Sequence, residues 1–289
     1  MVRVIVYILF FVFSMAGYVR SIENSKIFYP TKEIIETPRV LNVEFQDIYI
    51  KTSDNIKING WFIPKPGARY TVLFLHGNGG NMGDRLDKIN MFYDIGVNMF
   101  IVDYRGYGSS EGKVSEKGVY LDARFCYKYL VDDFKIAPEH ILVYGESLGA
   151  AIAIDLVSNV EVAALITEGA FTSIKEVGKT VHPFLTLFLL SDKFNSLAKI
   201  NHVTVPKLFI HSSSDELVPF SLGKKLYRKA VLPKQFVELT GDHNGAFIES
   251  QKKYIEAIKE FIDNLGKTED RRLRFWERWS IVCGRGVVI

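Results

Sequence analysis

Short apolar runs alternating with segments of helical pattern constrain the fold of this chain more than any other feature. From residue 43 onward the runs occupy residues 43–50, 58–63, 71–75, 98–102, 141–144, 163–167, 208–210 and 236–239. The first two read as a hairpin, whereas the later runs are continuously apolar and suit strands covered on both faces. Helical patterns fill the gaps at residues 83–94, 116–133, 148–158, 221–230 and 246–265. The alternation predicts an α/β fold with a mainly parallel, eight-stranded sheet and helices on both faces.

Composition narrows the class of protein. Of the 289 residues, 48% are hydrophobic and 24% are charged, which suits one globular domain with a large core. The net charge of +3 is too small to predict a nucleic-acid partner. The histidines and the two cysteines lack the spacing of a zinc site or of a disulfide framework, so we expect no metal and no cofactor.

Both ends of the chain differ from the middle. Residues 4–19 form an uncharged, mostly apolar run that is shorter than the roughly 20 residues of a comfortable bilayer span. We interpret residues 1–22 as a retained membrane anchor; the alternative is a cleaved signal peptide, after which the protein is exported. The predicted domain covers residues 40–266. Residues 267–289 form a tail for which we favour disorder or loose docking over a position on a membrane surface.

The motif that points most directly to a chemical function is GESLG, residues 145–149, a G-x-S-x-G sequence. It directly follows the run 141–144 and directly precedes a helical pattern, as a nucleophile elbow requires. Such a tight turn holds its serine in a strained conformation with the hydroxyl exposed. We therefore predict that Ser147 is a nucleophile and that the backbone N–H of Leu148, at the helix start, donates to an oxyanion.

A glycine-rich turn, HGNGGN, occupies residues 76–81 after the run 71–75. Glycines let backbone N–H groups point into a site without obstruction, and we assign the second oxyanion donor to the N–H of Asn78. The turn lacks the G-x-G-x-x-G and G-K-S/T patterns of nucleotide phosphate loops. His76 is interpreted as a structural hydrogen bonder rather than as a catalytic base.

A serine nucleophile needs a base and a group that orients the base. His243 lies in a glycine-flanked turn after the run 236–239, and Asp215 follows the run 208–210. With Ser147 they give the chain order serine, aspartate, histidine. The other carboxylates considered for the acid are Glu168, Glu216 and Asp242. Asp103 follows a strand as well, but we assign it and Arg105, paired internally, a structural role beside the oxyanion turn.

An insertion at residues 171–205 interrupts the alternation of strands and helices. It contains a strongly apolar stretch at residues 181–190 and lies where a small lid over the site is expected. The stretch could form an apolar wall for an acyl group or contact a membrane. Alternatively, it is a helix that packs on the core.

Several stretches together resemble the Bem46-like, alpha/beta-hydrolase-domain serine hydrolases. They cover residues 73–81, 102–112, 143–153, 168–174, 192–200, 206–220 and 241–245. The resemblance implies the α/β-hydrolase fold, triad roles for Ser147, Asp215 and His243, and oxyanion roles for the N–H groups of Asn78 and Leu148. Two stretches depart from the family pattern: HSSSDE replaces His-Gly-x-x-Asp, and GDHNG replaces Gly-Gly-His-Asn.

Three functional hypotheses follow. The first is a serine hydrolase that cleaves carboxylic esters or thioesters of small, lipid-like acyl molecules through an acyl-enzyme. The second is a serine peptidase or aminopeptidase, because the same site attacks amides. The third is a non-catalytic α/β-hydrolase scaffold, which the complete trio of side chains argues against.

Overall fold

The eight predicted runs all form strands of one sheet. The computed structural model describes residues 26–181 and 192–283 of the chain. The strands are β1 (Gln46–Lys51), β2 (Lys57–Ile63), β3 (Thr71–Leu75), β4 (Asn98–Asp103), β5 (Ile141–Glu146), β6 (Ala164–Glu168), β7 (Lys207–Ser212) and β8 (Lys234–Leu239).

The strand order places the ends of several strands at one edge. Across the sheet the order is β1-β2-β4-β3-β5-β6-β7-β8. The pairs β1–β2 and β2–β4 are antiparallel, and every pair from β4 onward is parallel. From β3 the chain moves to β4 on one side and then to β5 on the other. Ligands of doubly wound sheets bind at such a switch point, beyond the carboxyl ends of the strands.

Helices cover both faces of the sheet. The described helices are α1 (Leu86–Ile95), α2 (Glu116–Asp132), α3 (Leu148–Val157), α4 (Ile174–Val181), α5 (Ser196–Lys199), α6 (Phe220–Lys229), α7 (Ala246–Glu249) and α8 (Gln251–Cys283). Along β3, Leu73 and Leu75 pack with α2 and α3, whereas Val72 and Phe74 pack with α1 and α8. Because successive side chains of a strand point to opposite faces, two buried faces require the continuous apolar run seen in the sequence.

The regions at and beyond the predicted domain limits are only partly described. Helix α8 continues through Cys283, past residue 266. The predicted anchor, residues 1–22, lies outside the described residues, as does most of the apolar stretch in the predicted lid. Helices α4 and α5 flank that stretch. Within the described part of the chain, no helix combines the length and apolar character that crossing a bilayer requires.

Candidate active site

The turn between β5 and α3 is a single strained residue. Ser147 has φ 53° and ψ −114°, a region that non-glycine residues occupy at a cost of about 1–3 kcal/mol. A Cβ on Gly149 would overlap the carbonyl oxygen of Leu75, and one on Gly145 would overlap the backbone of α3. The two glycines of the motif therefore let the helix approach β3 and β5 closely enough for the serine to project from the sheet edge.

The structure brings the three predicted side chains together. His243 Nε2 lies 3.0 Å from the hydroxyl of Ser147, and its Nδ1 lies 2.7 Å from Oδ2 of Asp215. With a proton on Nδ1, the ring donates to the carboxylate and accepts from the hydroxyl. The three residues come from the loops after β5, β7 and β8, which converge because these parallel strands end at one edge.

Asp215 is held in place and kept ionised. Its Oδ1 accepts the backbone N–H groups of Leu217 (3.0 Å) and Val218 (2.7 Å), and its side chain is 2% exposed. His211 Nε2 lies 3.4 Å from Oδ2. Burial raises the pKa of Asp215, but the hydrogen bonds from His211, His243 and the Val218 N–H outweigh it and hold the pKa well below its usual value.

The ring of His243 is tuned by the same carboxylate. Burial lowers the pKa of His243, but the hydrogen bond to Asp215 and its charge act in the opposite direction, with smaller contributions from Glu146 and Glu168. The net result is a pKa raised above the ordinary value of 6.5. An imidazole with a raised pKa accepts a proton more readily than an ordinary histidine side chain.

The other carboxylates considered for the acid have different partners. Glu216 accepts the backbone N–H of His243 at 3.0 Å and does not contact the ring. Asp242 accepts the backbone N–H groups of its own turn, and Glu168 contacts Lys88. Of these four carboxylates, only Asp215 is hydrogen-bonded to the histidine ring.

The glycine-rich turn at residues 76–81, hereafter the oxyanion loop, lies beside the serine. A Cβ on Gly77 would lie 3.6 Å from that of Ser147. No described residue accepts a hydrogen bond from the backbone N–H of Asn78 or Leu148. Unused N–H groups near a serine hydroxyl are what stabilisation of a developing oxyanion requires.

Comparison with known proteins places the chain in a family. A family profile described as "Serine aminopeptidase, S33" matches residues 66–199. The chain is 36% identical over 220 residues to alpha/beta hydrolase domain-containing protein 17B of Xenopus tropicalis, and this match covers 73% of each chain. It is 35% identical over 199 residues to protein bem46 of Schizosaccharomyces pombe, covering 65% of this chain and 67% of that one. The chain belongs to the Bem46-like α/β hydrolases.

Solved structures agree on the fold of this α/β hydrolase. The esterase Pf2001 of Pyrococcus furiosus superposes with a TM-score of 0.72 at 24% sequence identity, covering 82% of this chain and 98% of that one. At that identity the likeness bears on the fold alone. Together with the sheet order, it confirms the predicted α/β-hydrolase architecture.

A second histidine–aspartate pair supports the oxyanion loop of the hydrolase. His76 and Asp103 are fully buried, with Nε2 of the histidine 3.3 Å from Oδ1 of the aspartate. His76 Nδ1 lies 2.7 Å from the carbonyl of Gly77, and Asp103 Oδ1 accepts the backbone N–H of Met82 at 2.8 Å. Among the described residues, no hydroxyl is hydrogen-bonded to either ring nitrogen of His76, and the contacts of this pair are structural. Arg105 pairs internally with Asp122 and Asp54, as predicted.

Sequence reasoning missed a buried charged cluster beneath the hydrolase site. Lys88, from α1, lies 2.8 Å from a carboxylate oxygen of Glu146 and 2.8 Å from one of Glu168. Two tyrosine hydroxyls also contact Glu168, those of Tyr144 and Tyr254. Burial raises the pKa of Glu146, but neighbouring cations, Lys88 first, outweigh it and hold the pKa at about 2. Two sequence features could have revealed this cluster: a lysine within an apolar helix pattern, and a glutamate at the end of each of two apolar runs.

No metal site accompanies these groups in the described residues, where no cluster of three or more His, Cys, Asp or Glu side chains is arranged to hold an ion. The groups that the structure places at the sheet edge are a hydroxyl, an imidazole, a carboxylate and two backbone N–H groups.

Proposed function

We propose that this hydrolase is a serine esterase or thioesterase that forms an acyl-enzyme on Ser147. The observation that carries the proposal is the His243 ring, bonded through one nitrogen to the serine hydroxyl and through the other to Asp215. A hydroxyl hydrogen-bonded to an oriented imidazole is the arrangement that activates serine as a nucleophile.

In the proposed reaction, Ser147 Oγ attacks the acyl carbon while His243 Nε2 takes the hydroxyl proton. The carbonyl oxygen becomes an oxyanion that accepts from the N–H groups of Asn78 and Leu148. When the oxyanion collapses, the acyl–oxygen or acyl–sulfur bond breaks, and the imidazolium gives its proton to the leaving group. Water then attacks the acyl-enzyme by the same series of steps, which releases the acid and restores the serine. Asp215 stabilises the imidazolium in both halves.

The substrate we propose is a small acyl molecule with a lipid-like chain, and we propose that the enzyme is anchored to a membrane by residues 1–22. Both rest on sequence: the apolar stretch at residues 181–190 and the uncharged run at residues 4–19. An enzyme held at a bilayer meets lipid-like substrates at a high local concentration. The alternative location, export after cleavage of the segment, stays open.

Active-site labelling of the full-length protein in detergent tests the enzymatic proposal. A fluorophosphonate should label the wild type and fail to label Ser147→Ala, because the probe forms its bond to an activated serine hydroxyl. Labelling of neither protein would favour a non-catalytic scaffold. Equal labelling of both would place the reactive nucleophile at another residue.

A series of acyl esters tests the substrate class. We expect kcat/KM to rise from acetyl to long-chain esters as more apolar surface is buried, by roughly 0.8 kcal/mol for each buried CH₂. Equal kcat/KM for acetyl and long-chain esters would contradict a lipid-like substrate, even if labelling showed an active serine.

An aminopeptidase is the second candidate, which the description of the matched family favours. The same acyl-enzyme chemistry applies to an amide, with the amine as the leaving group. Aminoacyl amides assayed beside the esters separate the two candidates. A kcat/KM for the amides above that for every ester would favour the aminopeptidase.

A further inference from the structure

The segment at residues 26–33, hereafter the strap, lies between the apolar N-terminal run and the first strand of the sheet. It is bound to the oxyanion loop by backbone pairing. Tyr29 and Pro30 pair in parallel with Gly79 and Gly80 and form a two-stranded sheet apart from the main one. In this two-stranded sheet the strap is the strand that pairs with the glycine-rich turn.

The contacts converge on the residue to which we assign an oxyanion donor. The carbonyl oxygen of Asn78 accepts the N–H of Tyr29 at 3.0 Å and the hydroxyl of Tyr107 at 2.7 Å. The side-chain amide of Asn78 donates to the carbonyl of Ile27 at 3.0 Å. Both the backbone and the side chain of Asn78 are therefore fixed by the strap.

Further bonds extend the attachment on either side. The N–H of Thr31 donates to the carbonyl of Gly80 at 3.1 Å, and the carbonyl of Thr31 accepts the N–H of Gly108 at 2.9 Å. The side-chain amide of Asn81 reaches the carbonyl of Glu33 at 2.7 Å. The strap therefore connects the oxyanion loop to the loop that follows β4.

Apolar packing anchors the strap itself. Ile27 and Phe28 are 4% and 3% exposed, and the ring of Phe28 packs edge-to-face on that of Phe194, with centroids 6.0 Å apart. Tyr29, by contrast, is 53% exposed, so its side chain contributes little to the packing. The strap is thus a buried apolar pair followed by a stretch whose backbone, rather than its side chains, contacts the oxyanion loop.

We propose that the strap is a positioning element of the active site, which holds Asn78 by its carbonyl and its side chain so that its N–H points at the developing oxyanion. The proposal rests on the proposed function. Glycine has the largest backbone freedom of any residue, and Gly80 adopts φ +77°. A Gly-Asn-Gly-Gly turn without lateral pairing would sample many orientations, whereas an oxyanion donor must be held to within about 0.5 Å.

Replacement of one N–H tests the strap. Tyr29→Pro removes the N–H that donates to Asn78, and Tyr29→Ala, the matched control, truncates the same exposed side chain but keeps the N–H. We expect Tyr29→Pro to lower kcat for an acyl ester about 10- to 100-fold with KM nearly unchanged, because an oxyanion contact acts on the transition state. Tyr29→Ala should stay within about threefold of the wild type, since one exposed side chain is lost.

Amide hydrogen exchange supplies a readout that does not depend on activity. In Tyr29→Pro, exchange should rise at residues 76–81 and remain unchanged in β5 and α3, with a thermal midpoint close to that of Tyr29→Ala. If Tyr29→Pro fails to fold, Thr31→Pro with its control Thr31→Ser repeats the test on the bond to Gly80.

Two results would overturn the proposal. One is equal kcat and equal loop exchange in Tyr29→Pro and Tyr29→Ala, which would mean that the strap only packs. The other is faster exchange throughout the molecule with parallel losses of kcat and thermal stability, the signature of a merely structural role. If the wild type itself neither hydrolyses esters nor labels with a fluorophosphonate, the proposed function fails, and loop exchange alone then decides whether the strap holds the loop.

Discussion

Two of the buried histidine–aspartate contacts that the structure describes at this edge of the sheet, His243–Asp215 and His76–Asp103, have different surroundings. In the pair His243–Asp215 the histidine side chain is 9% exposed and its second nitrogen lies 3.0 Å from the hydroxyl of Ser147. In the pair His76–Asp103 both side chains are fully buried, and the second ring nitrogen lies against the carbonyl of Gly77. The two pairs therefore share residue types and differ in what the far side of the ring contacts.

The difference shows how the fold assigns proton transfer to one pair and support of a loop to the other. The ring of His243 lies between a carboxylate and a hydroxyl, so a proton can enter on one side while the charge is balanced on the other. The ring of His76 lies between a carboxylate and a backbone carbonyl, and a carbonyl has no proton to give. The first pair is suited to proton transfer, and the second is suited to fixing the loop that begins at His76.

The largest effect should come from removal of the first ring. We expect His243→Ala to lower kcat for an acyl ester about 10⁴- to 10⁶-fold, because the serine loses its base. Steady-state assays on an ester that the wild type cleaves measure the loss. Since the residues act as a unit, adding Ser147→Ala to His243→Ala should lower the rate little further. Retention of a tenth of wild-type activity by His243→Ala would remove the ring from the mechanism.

The next effect comes from neutralising the carboxylate of the first pair. Asp215→Asn should lower kcat roughly 10²- to 10⁴-fold, because an amide neither fixes the required imidazole tautomer nor balances the imidazolium. Glu238→Gln is the matched control, since Glu238 is an exposed carboxylate of β8 and no hydrogen bond or ion pair among the described residues joins its side chain to Ser147, Asp215 or His243. A ratio near one between the kcat values of Asp215→Asn and Glu238→Gln would contradict the assignment.

The same substitution in the second pair should give a different signature. Asp103→Asn leaves a buried amide in place of a carboxylate, and we expect the free energy of unfolding to fall by about 1–3 kcal/mol. Its kcat/KM should fall by no more than about tenfold, since the effect on the oxyanion loop is indirect. Urea denaturation measures the free energy of unfolding, and ester assays measure kcat/KM. A loss of kcat as large as that of Asp215→Asn would make the two pairs functionally alike.

Much of the fold could be predicted from the sequence, because both faces of the central strands are buried. Burial on two faces leaves a continuous apolar run, and each predicted run coincides with an observed strand to within a few residues. The candidate site could be predicted from the sequence for a related reason. Its side chains lie in glycine-flanked turns directly after such runs, as at Ser147 and His243, and parallel strands bring their ends to one edge.

The supporting contacts could not be predicted in the same way. Lys88 is bound by glutamates that are 58 and 80 positions away in sequence, and only the strand register brings Glu146 and Glu168 side by side. The strap has no periodic pattern of apolar residues, because its hydrogen bonds go to a loop and not to a neighbouring strand of the main sheet. Such contacts depend on where the sheet places distant segments, which residue patterns along the chain do not encode.

The smallest expected effect, and the finest test of the comparison, is the pH dependence of ester hydrolysis. In the proposed mechanism His243 can act as a base only when its ring is neutral, and its pKa is raised above 6.5, so kcat/KM should rise with pH through a midpoint above that value. The linked stability has the opposite sign: the raised pKa of His243 contributes stability at low pH that is lost as pH rises through it. The lowered pKa of Asp215 contributes stability at neutral pH that is lost progressively as the pH falls below the ordinary aspartate value of 3.8.

The same profile separates the two carboxylates. Asp215→Asn removes the main group that raises the pKa of His243, so the midpoint of its residual activity should move to lower pH. Asp103 does not contact that ring, and Asp103→Asn should leave the midpoint where it is in the wild type. Rate profiles of the three proteins between pH 5 and pH 9, the roughly physiological range in which histidine titrates, measure the shift. A midpoint that moves in Asp103→Asn and stays fixed in Asp215→Asn would reverse the roles of the two pairs, because the group that sets the pKa of the base must be the one in contact with it.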